Sequence, residues 1–280
     1  MRVSVVIIVK NGAAMLRRCL DSLSAFDDIV VYNNGSSDDT VSIASNYANV
    51  QLIEGEFIGF GSTKNMATAY ARHNWILSID SDEVMNDAII QEIFALPNDQ
   101  HIVYSLLRKN FYNMTEIRHC WSADEIVRIY NRRETCYSHH CVHEHVLTEG
   151  VKVEKLQNSF NHFPYQSISE FLLKADRYST LFATDNVGKK SSSPAKALFN
   201  GLYSFFRTYI LKKGFLDGYA GLIIAFSHMV TNFYKYIKLY EINLEQESTQ
   251  SPQIKIGSTQ LCYSINKIFT QRSPSEACSY

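Results

Sequence analysis

The sequence predicts an α/β fold, a mostly parallel sheet with flanking helices, followed by C-terminal amphipathic helices. Two observations carry this prediction. Strand and helix signals alternate over the first 90 residues, and the pattern becomes helical, apolar and aromatic from 169 to 244. Such alternation is typical of parallel sheets covered by helices on both faces. Ligands of these sheets bind beyond the carboxyl ends of the strands.

The first part of the chain is predicted as four strands separated by three helices. The predicted strands are 3–9, 29–32, 50–53 and 75–79. The predicted helices are 15–23, a segment capped by 36–40 that ends near Ala48, and 63–71. Segment 3–9 is apolar on both faces, which indicates a central strand. Shorter strand-like pieces follow at 102–107, 126–130 and 151–153.

Charge and composition divide the chain into three predicted parts, 1–165, 166–244 and 245–280. The net charge is −1, which predicts no nucleic-acid partner. However, residues 1–165 carry 14 basic and 20 acidic side chains, whereas residues 166–244 carry 10 and 5. The third part is rich in Ser, Gln and Thr and is predicted to be a disordered tail.

The composition excludes several protein classes. With 46% hydrophobic and 20% charged residues, the chain is neither collagen-like nor wholly disordered. Its six cysteines lack the spacing of a disulfide framework, which favours reduced thiols in the cytosol. No apolar run reaches about 18 residues, so no membrane span is predicted. No Gly-x-Gly-x-x-Gly follows the first strand, which argues against a dinucleotide-dependent oxidoreductase.

Asp80 and Asp82 follow the strand 75–79 directly. Two carboxylates two residues apart at a strand end can approach one divalent cation, which can also bridge phosphate oxygens. The same two acids also suit a helix N-terminus, where they meet the positive end of the helix dipole. The pattern alone leaves both interpretations open.

Four motifs resemble those of family 2 glycosyltransferases, which have the nucleotide-sugar-binding GT-A fold. They are, in chain order, the segments 3–11, 34–40, 59–65 and 80–83. Further motifs resemble those of one subgroup, the lipopolysaccharide inner-core β-1,4-glucosyltransferases, which add glucose to a heptose. These are Trp121, Asp124, 127–133, 142–144, His162 and, as the most specific, 207–218 with Gly221 and Leu222.

The resemblance implies an inverting glycosyltransferase that moves a hexose, glucose from UDP-glucose, to a heptose of the lipopolysaccharide inner core with β-linkage. Asp82 is the implied ligand of Mg²⁺ or Mn²⁺, Asp80 contacts the ribose or the metal, and His162 is a third metal ligand. Glu144 is the implied base that deprotonates the acceptor hydroxyl, and Asp124 is the reserve candidate.

The resemblance also implies a set of residues that bind the nucleotide-sugar. Asn33 and Asn34 stand where the family usually has at least one Asp, which accepts from the uracil N3–H, and an Asn oxygen can also accept. Lys64, Arg128 and Arg132 are candidates for phosphate contacts. Capping of the next helix is the alternative for Asp38, and a solvated position is the alternative for Lys64 and Arg128. The full set is Val9, Asn11, Asn33, Asp38, Lys64, Asp80, Arg128 and Arg132.

Histidines and cysteines are crowded between Cys136 and His145. Their spacing does not match that of a zinc finger. His143, which precedes the candidate base, is instead predicted to support Glu144. For His162, a buried and hydrogen-bonded core histidine is the alternative to a metal ligand.

Segments 198–211 and 215–240 are predicted helices rich in aromatic residues, with Lys212 and Lys213 between them. Such helices can lie in a membrane interface with lysines on anionic headgroups, and packing onto the first part of the chain is the alternative. The predicted partners are a nucleotide-sugar donor, a glycolipid acceptor and an anionic membrane surface. The expected location is peripheral, on the cytoplasmic face of the bacterial inner membrane.

Two other functions stay open from the sequence. The same fold could use another nucleotide-sugar donor or another glycan acceptor, because donor choice lies in loops that a sequence does not resolve. An inactive protein that binds a nucleotide-sugar is the non-enzymatic alternative. The acids at 80, 82 and 144 argue against it, whereas Asn33 and Gly12, at positions where the family usually has acids, argue for it.

Overall fold

The computed structural model describes residues 1–138 and 144–250, which divide into two compact units. The N-terminal unit comprises Met1–Gln166, and the helical unit begins at Ser167. Most of the predicted tail lies outside the described residues. Residues 245–250 are the end of a helix, so the expected disorder is wrong for this short stretch.

Within the described residues, the N-terminal unit contains one nine-stranded sheet and four helices, which confirms the predicted α/β fold. The strands are β1 (Val3–Val9), β2 (Ile29–Asn33), β3 (Val50–Glu54), β4 (Trp75–Asp80), β5 (Glu83–Val84), β6 (Ile102–Tyr112), β7 (Thr115–Glu116), β8 (Asp124–Asn131) and β9 (Lys152–Tyr165). The helices are α1 (Ala13–Ser22), α2 (Thr40–Ala44), α3 (Phe60–Thr68) and α4 (Asp87–Ala95).

The first four strands are parallel and lie in the order β3-β2-β1-β4. All seven residues of β1 are buried, as its apolar sequence predicts for a central strand. Val9 pairs with Asn33, and Ile8 pairs with Asp80. The polar residues that follow these strands therefore meet at one edge of the sheet.

The other half of the sheet is mixed. β8 is antiparallel to β4 and to β6, whereas β9 is parallel to β6. β9 has 14 residues, although only 151–153 were predicted, because polar residues such as Asn158 and His162 interrupt its apolar pattern. The antiparallel pairing of β5 with β9 places Glu83 opposite His162, next to the acidic turn that follows β4.

Two helices of the N-terminal unit show how local sequence sets the elements. α1 buries Met15, Leu16, Cys19 and Leu20, which form one helix face. α2 ends at Ala44, before the predicted end near residue 48. Side chains after it turn back to the helix carbonyls, since the Ser45 hydroxyl donates to the Val41 carbonyl at 2.9 Å. Such bonds compete with helix propagation.

The helical unit contains α5 (Ile168–Asn186), α6 (Pro194–Phe206), a π-helical turn (Arg207–Leu211), a 3₁₀ turn (Gly214–Asp217) and α7 (Gly218–Gln250). This confirms the predicted C-terminal helices. Ser167 and Ser193 cap α5 and α6 by accepting from backbone N–H groups three residues later. None of the helices among the described residues is long and apolar enough to span a membrane.

Candidate active site

Side-chain hydrogen bonds tie together the turns that follow β1 and β2. Asn11 has a left-handed backbone with φ 55°, and its Oδ1 accepts from the N–H of Ser37 at 2.8 Å. Asp38 accepts from the N–H of Ala13 at 3.0 Å and from that of Thr40 at 3.1 Å. Burial acts to raise the pKa of Asp38, but the hydrogen bonds from Thr40 and Ala13 outweigh it and lower this pKa. Asp38 therefore joins the two turns.

The side chain of Asn33 is engaged inside the protein. Its Nδ2 donates to Glu54 at 2.8 Å, and its Oδ1 accepts from both the N–H and the hydroxyl of Ser36. Asn34 differs, because its Oδ1 is buried without a hydrogen-bond partner among the described residues. Its Nδ2 donates to the Gly55 carbonyl at 3.4 Å. An unpaired buried acceptor is costly, so Asn34 is better placed than Asn33 to accept from a ligand.

Lys64 links two of the predicted site carboxylates. Its Nζ lies 3.1 Å from Asp80 Oδ1 and 3.0 Å from Glu144 Oε1, and its side chain is only 3% exposed. Burial acts to lower the pKa of Lys64, but the Asp80 carboxylate outweighs it and raises this pKa above its usual value. The lysine is therefore a buried, charged bridge and not a solvated residue on a helix face.

The start of α3 allows Glu144 to reach Lys64. A Cβ added at Gly61 would lie 1.8 Å from the Ser138 carbonyl oxygen, so only glycine allows the two segments to approach this closely. The side chain of Asn65 exchanges two hydrogen bonds of 2.9 Å with the backbone of Tyr137. Gly61 and Asn65 of α3 thus contact Ser138 and Tyr137. Residues 139–143, which include His143, lie outside the described residues, so the supporting role of His143 stays a prediction.

A chain of charges connects Asp80 with the reserve base Asp124. The guanidinium of Arg128 is buried and contacts Asp80 at 2.7 Å and Glu83. Glu83 is fully buried, lies 3.5 Å from Arg108, and accepts from the N–H of Asp80 at 2.9 Å. Arg108 forms a bidentate pair with Asp124 at 3.0 and 2.6 Å. Both carboxylate oxygens of Asp124 are therefore paired with Arg108.

Charges of opposite sign alternate along this chain of groups. Burial opposes ionisation of Asp80, but Arg128 and Lys64 outweigh it and hold the pKa of that carboxyl well below its usual range. Burial raises the pKa of Glu83. Both Glu83 oxygens nevertheless accept from donors, which leaves no acceptor for a carboxylic O–H. Glu144 differs, since its Oε1 pairs with Lys64 while no described residue bonds its Oε2.

Asp82 and His162 form a two-residue donor set beyond the end of β4. Asp82 Oδ2 lies 3.7 Å from His162 Nε2. His162 Nδ1 lies 2.7 Å from Asn110 Oδ1, and the Nδ2 of Asn110 faces the carbonyls of Trp121 and Ser122. Because the oxygen of Asn110 is an acceptor, Nδ1 donates to it, and Nε2 is the ring nitrogen that faces Asp82. This arrangement fits a divalent cation that completes its shell with phosphate and water oxygens.

Asp80 does not join this donor set. Its Oδ1 faces Lys64 and its Oδ2 faces Arg128, so both oxygens are paired with cations. Across residues 1–138 and 144–250, no three His, Cys, Asp or Glu side chains lie where they could hold a metal together. Asp80 is therefore paired with Lys64 and Arg128 in this structure, its role as a metal ligand stays a prediction, and Asp82 and His162 form a two-residue set.

Two further predicted donor-binding residues, Arg132 and Val9, take part in hydrogen bonds to backbone groups. Arg132 follows β8 next to the N-terminal end of β4, whereas Asp80 lies at the C-terminal end of β4. Its guanidinium donates to the carbonyl of Thr68 at 2.7 Å. This position corrects its assignment to a phosphate contact. Val9 is a buried core residue, and its carbonyl accepts from the N–H of Asn34 at 2.8 Å.

A cavity of about 430 Å³ opens beside the candidate base Glu144. The hydroxyl of Tyr137 and the Nε of Arg128 are buried without hydrogen-bond partners among the described residues. Both residues line this cavity, together with Asp80, Arg108 and Glu125. Unpaired polar atoms next to a carboxylate suit a ligand with several hydroxyl groups.

Several site residues were not assigned a role from the sequence. The sequence places Glu83 only within the acidic turn, and it names Asn34 only together with Asn33 at the position of the family's Asp. Arg108 and Asn110 were not singled out, although they are polar residues two positions apart on an apolar strand. Side chains at this spacing share one face of a strand, which is the signal that could have drawn attention to them.

Residues 4–156 match the family model described as Glycosyl transferase family 2, which covers more than half of the chain. The chain belongs to this glycosyltransferase family. Its α/β fold is of the GT-A type that the sequence predicted.

Relatives of this glycosyltransferase extend over most of its length. An uncharacterized glycosyltransferase of Rickettsia bellii is 26% identical over 271 residues, which are 91% of this chain and 92% of the relative. The lipopolysaccharide core biosynthesis glycosyltransferase LpsC of Rhizobium meliloti is 26% identical over 252 residues, 85% of this chain and 92% of its own. Among solved structures, S. aureus TarS 1-349 has a TM-score of 0.42 and 15% identity over 89% of this chain and 92% of its own.

Proposed function

We propose that this glycosyltransferase moves glucose from UDP-glucose to a heptose of the lipopolysaccharide inner core, with inversion and a β-linkage. Family membership supports the transfer reaction, and the similarity to LpsC supports an acceptor of the lipopolysaccharide core. The proposal rests on the carboxylate of Glu144, which lines the cavity. Lys64 pairs with its Oε1, and no described residue forms a hydrogen bond with its Oε2.

In this proposal Glu144 is the general base. Its Oε2 takes the proton of the acceptor hydroxyl while the hydroxyl oxygen forms a bond to the anomeric carbon. The bond from that carbon to the diphosphate breaks, and the nucleoside diphosphate leaves with the electron pair. Lys64 holds Oε1 and so orients the carboxylate. A single displacement with one base gives a β-linkage from an α-linked donor.

Asp82 and His162 are proposed to hold Mg²⁺ or Mn²⁺. The cation would supply Lewis-acid stabilisation for the charge on the departing diphosphate. The protein orients both ligands. Asn110 fixes the His162 ring, and the N–H of Phe163 donates to the Asp82 carbonyl at 2.9 Å, which joins the acidic turn to β9.

The donor base is proposed to lie at the carboxyl ends of β1 and β2. The unpaired Oδ1 of Asn34 is the acceptor that would meet the N3–H of uracil. The asparagine pair at 33–34 also favours the second candidate function, the same transfer from another nucleotide-sugar, because the family usually places an Asp there. A panel of UDP- and GDP-sugars with a heptose-containing lipid acceptor, read by product mass and linkage, distinguishes the two.

The acceptor proposed here is a glycolipid, so the proposal includes a peripheral location on the cytoplasmic face of the bacterial inner membrane. The relative LpsC, named for lipopolysaccharide core biosynthesis, supports this acceptor class. The charge of the helical unit points the same way, since residues 166–244 carry 10 basic and 5 acidic side chains.

The substitution Glu144→Gln tests the base. Because general-base catalysis contributes about 10²–10⁴-fold, we expect kcat to fall by at least about 10²-fold. Donor affinity, measured by titration calorimetry with UDP-glucose, should stay unchanged. The exposed Glu149→Gln is the matched control and should keep full activity. Full turnover by Glu144→Gln would assign the base to another residue.

The substitution Asp82→Asn tests the metal site without relying on activity. Binding of Mn²⁺ in the presence of UDP, followed by the paramagnetic resonance of free Mn²⁺, should weaken by about tenfold or more. This bound is set by the 10–100-fold losses typical of residues that merely support metal ligands. Asp87→Asn, at an exposed position on α4, is the control. Equal Mn²⁺ affinities in wild type and Asp82→Asn would refute the assignment.

A further inference from the structure

The connection between α6 and α7 carries a concentration of exposed apolar side chains. Of the 26 large apolar side chains that are exposed among the described residues, 19 lie in the helical unit. Seven of these fall within 206–222, where α6 passes through the π-helical and 3₁₀ turns into α7. We call residues 206–222 the hairpin tip. Its Leu211, Phe215, Leu216 and Tyr219 are between 49% and 67% exposed.

The inside of the hairpin tip is closely packed. A Cβ added at Gly221 would lie 1.9 Å from the Gly214 carbonyl oxygen, so the two backbones touch. The buried Thr208 hydroxyl lies 3.1 Å from His228 Nδ1, which fills the interior behind the π-helical turn. Backbone contacts, the Thr208–His228 pair and the buried Ala220 occupy the inside of the tip, and its large apolar side chains lie at the surface.

Three cations lie among these apolar residues. Arg207, Lys212 and Lys213 are exposed, and none of them forms an ion pair with a described residue. Asp217 is the one acid of the segment. Lysine is depleted in the cores of protein–protein interfaces, so this mixture does not match a protein partner or a second copy of the chain. Aromatic and aliphatic residues with flanking basic side chains are typical of surfaces that bind anionic membranes.

We propose that the hairpin tip docks on an anionic phospholipid bilayer. Its apolar side chains insert at the boundary of headgroups and acyl chains, and Arg207, Lys212 and Lys213 contact the headgroup phosphates. The inference names the surface behind the membrane location that the proposed function includes. Vesicle binding requires neither donor nor acceptor, so it fails or succeeds independently of the proposed transfer reaction.

The test is co-flotation of the full chain with vesicles of phosphatidylglycerol and phosphatidylethanolamine, compared with vesicles of phosphatidylcholine. We expect binding to the anionic vesicles that weakens with salt, because screening acts on exposed charges. The double variants Phe215→Ser with Leu216→Ser and Lys212→Glu with Lys213→Glu should each lower the bound fraction at least tenfold. Circular dichroism and transfer to a water-soluble acceptor fragment check that each variant is folded.

Matched controls lie in the same unit. Leu172→Ser with Leu173→Ser changes an apolar pair on α5 that is 58% and 72% exposed, and Lys189→Glu with Lys190→Glu reverses another exposed lysine pair. Both should bind vesicles as wild type does. The proposal is overturned if these controls lose binding as strongly as the tip variants, or if the tip variants stay bound. It is also overturned if the tip variants change only self-association, measured by light scattering.

Discussion

The two units use charge and apolar surface in opposite ways. The N-terminal unit buries charges, as the contacts of Arg128 with Asp80 and Glu83 show, and it exposes few large apolar side chains. The helical unit pairs neutral polar groups inside, such as Thr208 with His228, and leaves cations and apolar side chains outside. The difference agrees with the two proposals above, in which one unit holds the reacting groups and the other meets a membrane surface.

Burying ions is costly, and a buried ion pair is weak evidence for stability in itself. In the N-terminal unit the same contacts fix the geometry of the site, since Asp80 is held from both sides by Lys64 and Arg128. In the helical unit, close packing of the helices takes the place of such ion pairs in fixing the geometry. A Cβ added at Gly201 would lie 3.1 Å from the Met229 carbonyl oxygen, so α6 and α7 approach closely at this point.

The largest expected effect concerns the buried charges. Glu83→Gln places an amide N–H₂ against either the N–H of Asp80 or the guanidinium of Arg128, and it removes a negative charge from the interior. Breaking a buried pair by removing one partner costs about 3–5 kcal/mol, so we expect the free energy of unfolding to fall by that amount. Urea unfolding followed by circular dichroism measures it.

The control for this substitution lies on the same sheet. Glu154→Gln alters an exposed pair in which Glu154 lies 2.6 Å from Lys152, and its effect should stay below about 1 kcal/mol. Similar losses of unfolding free energy in both variants would show that burial does not determine how much these charges contribute to stability. The contrast drawn between the two units would then lose its basis.

The second prediction concerns the neutral interior of the helical unit. Burial lowers the pKa of His228 to about 4, and Lys212, Lys235 and Arg207 add to this effect. Because the pKa of His228 is lowered in the folded state, the contribution of this residue to folding stability is fully present at a pH above its ordinary pKa of 6.5. This stabilisation is lost as the pH falls toward 4, because the unfolded chain takes up the proton first. The expected loss is about 2 kcal/mol at pH 5.

The comparison that isolates this effect uses His228→Gln, which cannot titrate. Unfolding free energies of wild type and variant are measured at pH 7.5 and at pH 5. Other groups affect both proteins alike, so the difference between the two pH dependences reports His228. A pH dependence that is identical in both proteins would show that His228 is not kept neutral by the fold.

The fold was largely predictable because its parallel half depends on local patterns. The apolar segment 3–9 and the polar turns after each strand are sufficient to predict a central strand and a ligand-binding edge. β9 was not predictable at its true length, since Asn158, Asn161 and His162 break the alternation that marks a strand. Its length comes from pairing with β6, which a local pattern does not contain.

The site was predictable only where a motif names a residue. Asp82 and Glu144 came from the resemblance, whereas the roles of Glu83 and Arg108 depend on contacts between strands far apart in sequence. Arg132 was misplaced because its position depends on the register of β8 against β4, which puts it at the opposite edge of the sheet. Sequence spacing cannot supply such a register.

The smallest expected effect concerns an ion pair on the helical unit. Lys238 joins α7 to α5 through contacts of 2.7 Å with Asp176 Oδ1 and 2.8 Å with the Thr180 hydroxyl. Asp176 is largely exposed, so water screens the pair, and Lys238→Met should lower the free energy of unfolding by at most about 1 kcal/mol. Urea unfolding beside Glu83→Gln gives the ratio of the two losses. A ratio of at least about three supports the contrast between the units, whereas equal losses would mean that exposed and buried charges stabilise this protein alike.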